Sequence, residues 1–588
     1  MNTDTCEHFD VVITGLGPTG LTLAHCLGSR GHRVLVLERE PQFYGNARAV
    51  YTDGECMRIF QSFGMAERLA ADMLQDAPVQ MLLPDGKVLF QIKNTQRPHG
   101  WPANNFFYQP LLETALADGL AKYPNVTVQR GRELTRFEQD ASGVDVFHVE
   151  SRGAGYLKAA PQPGVRPEPV AGEVRVRGRW LVGADGGRSA VRAQLGIGMT
   201  GKNFPNPWLV VDIKAKDPAD GLRHLPYFDF ICDPACPTVS CVQPNGHHRF
   251  EFMLMPGQTR EYMEDPATVR HYLSKYIDVD KFDILRTLVY TFNALMAEKW
   301  RDRRVLLAGD AAHMTPQFIG QGMNAGVRDA YNLGWKLDAV LRGQAGDALL
   351  DSYERERRPH AAAMTREGIR MKDFVSMVSP LGTMLRNAAT RLVTRLPKIG
   401  TFVRQGDFIP KPTYRNGAYF GIGRRRWRGA EGRLMPQPNL RGPDGRRHRL
   451  DDIAGWGFVL IGAGVDPRAS LDIEALALWQ RLGARFVAVY PFGGKPAGAG
   501  VAHAVPGDLI ETEDPDNAFF DWLKASGGRT GSVAIVRPDK FVFALVHGQA
   551  LSAATREVER QMHCGDAVAE ALPALEPQPS AAALARAA

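Results

Sequence analysis

Two stretches far apart in the chain carry residue types suited to sugar and phosphate rather than to a core. Gly15-Leu16-Gly17-Pro18-Thr19-Gly20 follows the β-branched run Val11-Val12-Ile13, and Leu21, Ala24 and Leu27 continue it at helical spacing. A second run, Arg33 to Leu37, ends in Glu38, 18 residues beyond Gly20. Glycines let the backbone approach a pyrophosphate, the helix N-terminus favours its charge, and an acid about 20 residues on accepts hydrogen bonds from ribose hydroxyls. A glycine turn that served packing alone would not account for Glu38. The other stretch, LAGDAAHMTPQFIGQGMN from Leu307 to Asn324, sets Gly309-Asp310 directly behind the apolar run Val305-Leu306-Leu307 and then runs through Gly320 and Gly322. A buried helix would not carry so many backbone breakers, and a surface linker would not follow a strand so closely.

These residues need strands to present them. Trp180 to Val182 is a third apolar run and also ends in a polar turn, Gly183-Ala184-Asp185-Gly186-Gly187-Arg188-Ser189. The Pro/Gly-rich segment 159–172 before it reads as a surface loop between strands. After the Gly-Asp turn, Ala325, Ala330, Leu333 and Leu337 predict a long helix from Gly322 through Lys336 with those four inward. Residues 195–300 alternate in strand fashion (LVVDIKA, YFDFICD, TVSCVQP, HRFEFML), and 450–560 alternate strands with helices. The fold class is α/β: a Rossmann-like unit over 1–195 and 300–375, an interleaved mixed sheet over 196–299, a connecting helical region over 376–449, a C-terminal α/β domain over 450–565 and a frayed tail over 566–588.

Bulk properties exclude several classes. The 588 residues are 44% hydrophobic and carry 71 basic against 64 acidic side chains, a net +7 that is no nucleic-acid signature. The densest basic run, Gly423 to Arg449, holds Trp427 as its one aromatic and reads as a solvated inter-domain segment. Seven cysteines form no CxxC, and Cys232, Cys236 and Cys241 lack zinc-site spacing, so no metal and no thiol–disulfide chemistry are expected. The polar N-terminus is no signal peptide, and Phe9 to Leu27 is too interrupted for a membrane span, so a cytoplasmic protein with reduced thiols is expected.

The glycine turn, the Asp-Gly turn and the Gly-Asp turn, in this order, resemble the FAD-dependent aromatic monooxygenases of the para-hydroxybenzoate hydroxylase type over residues 9–375. The C-terminal part, ending in VRPDKFVFALV, resembles the thioredoxin-like domain of their phenol hydroxylase branch. The stretches 48–64 and 316–337 look most like hydroxylases of 3-(3-hydroxyphenyl)propionate and 3-hydroxycinnamate. The resemblance implies that FAD is held by Gly15, Gly17, Gly20, Glu38 and Arg39, with Arg48 near its pyrophosphate and Gln109 and Asp310 on its ribityl chain. Asp185 would serve both FAD and the nicotinamide; Gly309, Pro316, Gly320, Gly322, Met323 and Asn324 would border the flavin. Asp310 as a helix cap and His313 as a structural histidine are the bland alternatives.

With one glycine fingerprint and no second Rossmann unit, the resemblance also implies that NADH (or NADPH) binds transiently as co-substrate. A phenolic acid would then be oxygenated by O2 ortho to its hydroxyl. Such chemistry wants a group that takes or shares the phenol proton. Asp53, Tyr51 and Tyr227 are candidates, Asp53 equally as a helix cap, and Arg249 is a candidate for the substrate carboxylate. Tyr227, Phe228, Phe230, Phe250 and Phe252 either line an aromatic pocket or, for most of them, fill the core. A homodimer is left open, as are two other readings: an FAD-dependent reductase without oxygenation and a flavin-bound interaction protein.

Overall fold

The run Val11-Val12-Ile13 and the run ending in Glu38 become parallel neighbours, Glu7–Thr14 and Val34–Glu38, joined by the helix Pro18–Gly28. A computed structural model describes residues 6–43, 49–153, 162–165, 167–204, 206–217, 222, 224–419, 429–496 and 509–562. Val11 to Ile13 and Val34 to Leu37 are buried, as unbroken β-branched and leucine runs in a covered parallel sheet should be. Among the described residues their sheet has eight strands, six of them in the order Arg301–Asp302, Val305–Leu307, Val174–Gly183, Glu7–Thr14, Val34–Glu38, Val126–Arg130. All but the first of these run parallel. Register sets Thr14 opposite Gly183 and Gly183 opposite Leu307. The glycine turn, the Asp-Gly turn and the Gly-Asp turn, the first and last 294 residues apart (Gly15 to Gly309), therefore leave adjacent strands at one sheet edge, with Glu38 one strand further on. Ligands of open parallel sheets bind at this carboxyl edge.

Among the described residues the second sheet has seven strands in the order Phe282–Tyr290, Trp208–Ala215, His247–Met253, Thr238–Val242, Phe228–Ile231, Val79–Leu82, Val88–Ile92. Its last two strands correct the sequence-based boundaries: Val79–Leu82 and Val88–Ile92 fall inside 1–195 yet complete this sheet, through parallel pairing of Val79–Leu82 with Phe228–Ile231. A short hairpin alternates alike whichever sheet it joins, so its pattern could not show that distant partner. Phe250 and Phe252 face away from the first domain and pack with Met263, Tyr272 and Leu273, whereas Phe228 and Phe230 cluster with Tyr51, Trp208 and Phe318 on the other face. Strand alternation divides these four aromatics in this way, while Tyr227 lies just outside the strand.

The C-terminal sheet runs Arg447–Arg449, Asn439–Arg441, Leu509–Asp514, Arg485–Pro491, Val459–Ala463, Ser532–Val536, Val542–His547. Its core already includes Met435 and Leu440, so the unit begins before residue 450. It is bolted to the first domain by buried charge. Glu356, on the helix Asp351–Val375, accepts from Lys336 Nζ at 2.8 Å and from Arg537 Nη1 and Nη2 at 2.9 and 2.8 Å. Arg537 also forks to Asp539, and Asn332 Nδ2 donates to both Glu356 and Asp539. None of the charged side chains in this group is more than 1% exposed. Burial pushes the Glu356 pKa up, but Arg537 and Lys336 outweigh it and hold the carboxyl well below its usual range.

Removing one partner from such a group strands the rest in a dry interior, at a cost of about 3–5 kcal/mol. Arg537→Met is expected to lower the urea midpoint of the holoprotein and to release the C-terminal unit first. Far-UV circular dichroism and flavin fluorescence, followed through one titration, check whether the two transitions separate.

Candidate functional site

At the sheet edge the three fingerprint glycines do different jobs. A Cβ on Gly15, whose φ is +97°, would lie 2.4 Å from the Ala184 carbonyl oxygen, and one on Gly20 would lie 2.0 Å from that of Gly15. Both are required by the fold itself. Gly17 has no atom within 4 Å of its Cβ position, so the space over the N-terminus of Pro18–Gly28 is open. Glu38 closes one side: its Oε2 accepts from the Leu16 N–H at 2.8 Å and its Oε1 from the Glu40 N–H at 3.0 Å. Arg39 lies beside it, 3.4 Å from Glu40. Gln109, buried at the start of the helix Gln109–Gly119, accepts from the Ala49 N–H at 2.6 Å and donates to Glu113 at 2.5 Å. Arg48 lies outside the described residues. Asp185 accepts from the Val191 N–H at 3.2 Å, and burial raises its pKa.

The Gly-Asp turn is a short 3-10 turn, Gly309–Ala311, in which Asp310 is half-buried. What fixes it is a residue the periodicity did not single out. Asp329, fully buried on the helix Gly322–Leu341, accepts from the Gly309 N–H at 3.1 Å, His313 Nε2 at 2.6 Å and Arg357 Nε at 2.8 Å. Burial pushes its carboxyl up, but His313 and Arg357 outweigh this and leave its pKa at about 2. His313 is thus a buried structural partner of Asp329. Beyond it, Pro316 is buried and Gly320 takes φ +62°; its Cβ would meet the Tyr51 ring at 2.6 Å. Gly322 has only the Thr315 carbonyl, at 4.0 Å, near its Cβ position. Asn324 donates to the Gly320 carbonyl and accepts from the Thr52 hydroxyl, while the neighbouring Met323 is half-buried.

The proposed proton acceptors sit differently. Asp53 caps the helix Gly54–Ser62 through the Cys56 N–H and pairs with Arg328, which also holds Glu55 at 2.7 Å and Gln321 at 2.9 Å. Burial pushes Asp53 up, and Arg328 with the hydrogen bonds brings it below the usual carboxylate range. A carboxylate so satisfied is a weak base, and the helix-cap reading describes it. The Tyr51 hydroxyl donates to the Ala103 carbonyl at 3.1 Å, and burial raises its pKa. Tyr227 is half-buried just before the strand Phe228–Ile231. Arg249 forks onto Asp212 at 2.6 and 3.3 Å, with Arg286 2.8 Å from the same carboxylate.

Sequence reasoning missed the neighbour two positions on. Glu251, 4% exposed, shares the sheet face of Arg249 and Met253, and its Oε2 accepts from Gln317 Nε2, next to Pro316. Burial raises its pKa to about 7 against the pull of Arg249. One face of the second sheet therefore meets the loop after the Gly-Asp turn with a carboxyl poised near neutrality. Alternation along HRFEFM could have flagged Arg249 and Glu251 as one-sided partners.

An open cradle over a helix N-terminus, an acid at the next strand's end and a bare loop beside an apolar cluster fit a dinucleotide carrying a ring system. Comparison with known proteins agrees. Residues 8–368 match the family described as FAD binding domain, and residues 432–561 the one described as HcaD C-terminal domain. A 3-(3-hydroxy-phenyl)propionate/3-hydroxycinnamic acid hydroxylase of Comamonas testosteroni is 34% identical over 94% of this chain and 97% of its own. One from Burkholderia vietnamiensis is 35% identical over 92% of this chain and 90% of its own. Among solved structures, aklavinone-11 hydroxylase superposes with a TM-score of 0.72 at 24% identity, covering 95% of this chain and 99% of its own. Among the described residues no helix is long and apolar enough to cross a membrane. The chain belongs to the FAD binding domain family and is a flavin-dependent aromatic hydroxylase.

Proposed function

We propose that the chain uses NADH and O2 to hydroxylate 3-(3-hydroxyphenyl)propionate, and 3-hydroxycinnamate, between their two substituents, giving the 2,3-dihydroxy product in the cytoplasm. The observation that carries this reading is the likeness of about a third of all positions, over nearly the whole chain, to relatives whose names state those substrates. When bound, FAD accepts electrons from the nicotinamide and activates O2 for insertion of one oxygen atom into the ring. Gly15, Gly17 and Gly20 would hold its pyrophosphate, Glu38 its ribose with Arg39 alongside, and Gln109 and Asp310 its ribityl chain. Pro316, Gly320, Gly322, Met323 and Asn324 would border its ring, with Asp185 serving the nicotinamide as well.

The protein's share of the chemistry is binding, water exclusion and one proton. The cluster of Tyr51, Trp208, Phe228, Phe230, Met253 and Phe318 supports an apolar seat for the ring. Because Asp53 is locked by Arg328 and Tyr51 donates to a backbone carbonyl, we assign the phenol proton to Glu251, at Oε1, with Gln317 holding Oε2. The side-chain carboxylate of the substrate would lie toward Arg249 and Arg286, which share the sheet face of Glu251. The C-terminal unit would be thioredoxin-like and lend structure or an interface. Its strands Arg485–Pro491, Val459–Ala463, Ser532–Val536 and Val542–His547 run parallel and then twice antiparallel, which supports that reading.

Three measurements test these assignments. Gly17→Ala adds a methyl where the fold leaves room, at a φ of −74°, so apoprotein stability should stay within about 0.5 kcal/mol. FAD affinity should fall at least tenfold, about 1.4 kcal/mol, in a fluorescence titration; unchanged affinity would remove Gly17 from the cofactor site.

Glu251 is neutral below its pKa of about 7 and accepts a proton only above it. In the wild type, kcat/KM for the phenolic acid should climb as pH rises through about 7, and in Glu251→Gln that limb should vanish. An unaltered limb in the variant would place the acceptor elsewhere.

Product analysis across phenolic acids completes the set. Activity should be highest with 3-(3-hydroxyphenyl)propionate, and phenylpropionate, which lacks the electron-donating hydroxyl, should yield no product. A much higher specificity constant for phenol or 4-hydroxybenzoate would overturn the substrate assignment and leave the hydroxylase in place.

A further inference from the structure

The helices Pro380–Arg395 and Pro397–Arg404 form a hairpin that is turned inside out. On the first, Leu381, Met384, Leu385 and Leu392 fall at helical spacing and are 62, 60, 58 and 66% exposed, while Thr383 and Arg386 are buried. Arg386 Nη1 donates to the Phe374 carbonyl at 2.8 Å and Nη2 to that of Cys232 at 3.4 Å, so the polar face is the one bound to the protein. The second helix extends the apolar stripe with Ile399 and Phe402, 42 and 46% exposed. Helices on water-facing surfaces put their apolar stripe inward, and contiguous exposed apolar patches mark an interaction site.

The charges name the occupant. Residues 380–404 hold five basic side chains and no acid, and Arg391, Arg395, Lys398 and Arg404 are exposed. A second copy laid on this face about a two-fold axis would bring like charges together across the contact. An apolar stripe edged by cations instead matches the boundary of an anionic bilayer, where the leucines enter the acyl region and the arginines meet headgroup phosphates. We propose that this hairpin is an interfacial anchor that docks the enzyme on anionic lipid membranes. The hairpin packs on the edge strand Val88–Ile92, and the Lys93 N–H donates to the Arg404 carbonyl at 2.8 Å. Docking would therefore bring the edge of the substrate sheet to the bilayer surface.

The test is flotation of the FAD-loaded full chain with phosphatidylcholine vesicles, with and without phosphatidylglycerol, alongside light scattering of the free protein. Binding is expected only to the phosphatidylglycerol vesicles and should weaken as salt rises. Leu385→Glu and Leu392→Glu, both at exposed positions, should lower the bound fraction at least tenfold while leaving melting temperature and phenol-dependent NADH oxidation unchanged. Equal binding to both vesicle types, or to neither, overturns the proposal. So does a wild-type dimer that these substitutions split into monomers, since the face would then belong to a second copy.

Discussion

The site rests on one buried carboxylate. Asp329 gathers the Gly309 N–H, His313 and Arg357 around two oxygens, and each partner comes from a different element: the Gly-Asp turn, the short strand after it and the helix Asp351–Val375. A turn containing a left-handed glycine and a loop of bare backbone has little intrinsic preference for one shape. Charge-assisted hydrogen bonds in a dry interior supply that preference, because leaving any one of them unmade is costly. Close packing adds to it. A Cβ on Gly326 would lie 2.2 Å from Thr19 Oγ1 and one on Gly309 2.6 Å from it, so the turn, the long helix and the fingerprint helix Pro18–Gly28 touch with no room for a side chain.

The long helix Gly322–Leu341 repeats the device along its length. Asn324 ties the loop to Thr52, Arg328 binds Asp53 and Glu55, Asp329 clamps the Gly-Asp turn, and Asn332 and Lys336 reach Glu356. Asn324, Arg328, Asn332 and Lys336 are spaced by four and form a polar ladder facing inward. A buried ion pair adds little net stability over apolar packing, but it penalises every mispairing. That suits a chain whose cofactor site is assembled from turns as far apart as Gly15 and Gly309 and whose C-terminal unit must seat on the same helix.

Much of this was legible in residues 9–40 and 305–337, because glycines, a strand-end acid and apolar runs are local signals with local causes. The four inward positions expected on the long helix, Ala325, Ala330, Leu333 and Leu337, are all buried. Its buried polar positions were illegible, since periodicity assigns a polar residue to solvent unless its partner is known, and Glu356, Arg357 and Glu55 are distant in sequence. The same blindness hid Glu251 beside Arg249, and the distant pairing of Val79–Leu82 hid the true extent of the second sheet. The hairpin at 380–404 shows the converse limit of periodicity. Its leucines repeat as a buried stripe should, yet they face out, and only the structure reveals which face the protein took.

Along the second sheet, the face turned to the first domain changes character in rows. Trp208 lies opposite Met253 and Tyr290 in the first row; two residues on, Val210 lies opposite Glu251 and Leu288; two further on, Asp212 lies opposite Arg249 and Arg286. A strand rises roughly 3.3 Å per residue, so the passage from an apolar to a charged wall takes about 13 Å. That is the scale of a phenyl ring carrying a three-carbon acid. An apolar ring seated by Trp208 and Phe318 would extend its acid toward the row that holds two guanidinium groups, with Glu251 between them beside the ring's hydroxyl. The gradient matches the polarity of a ring carrying an acid, and this support is independent of the relatives' names.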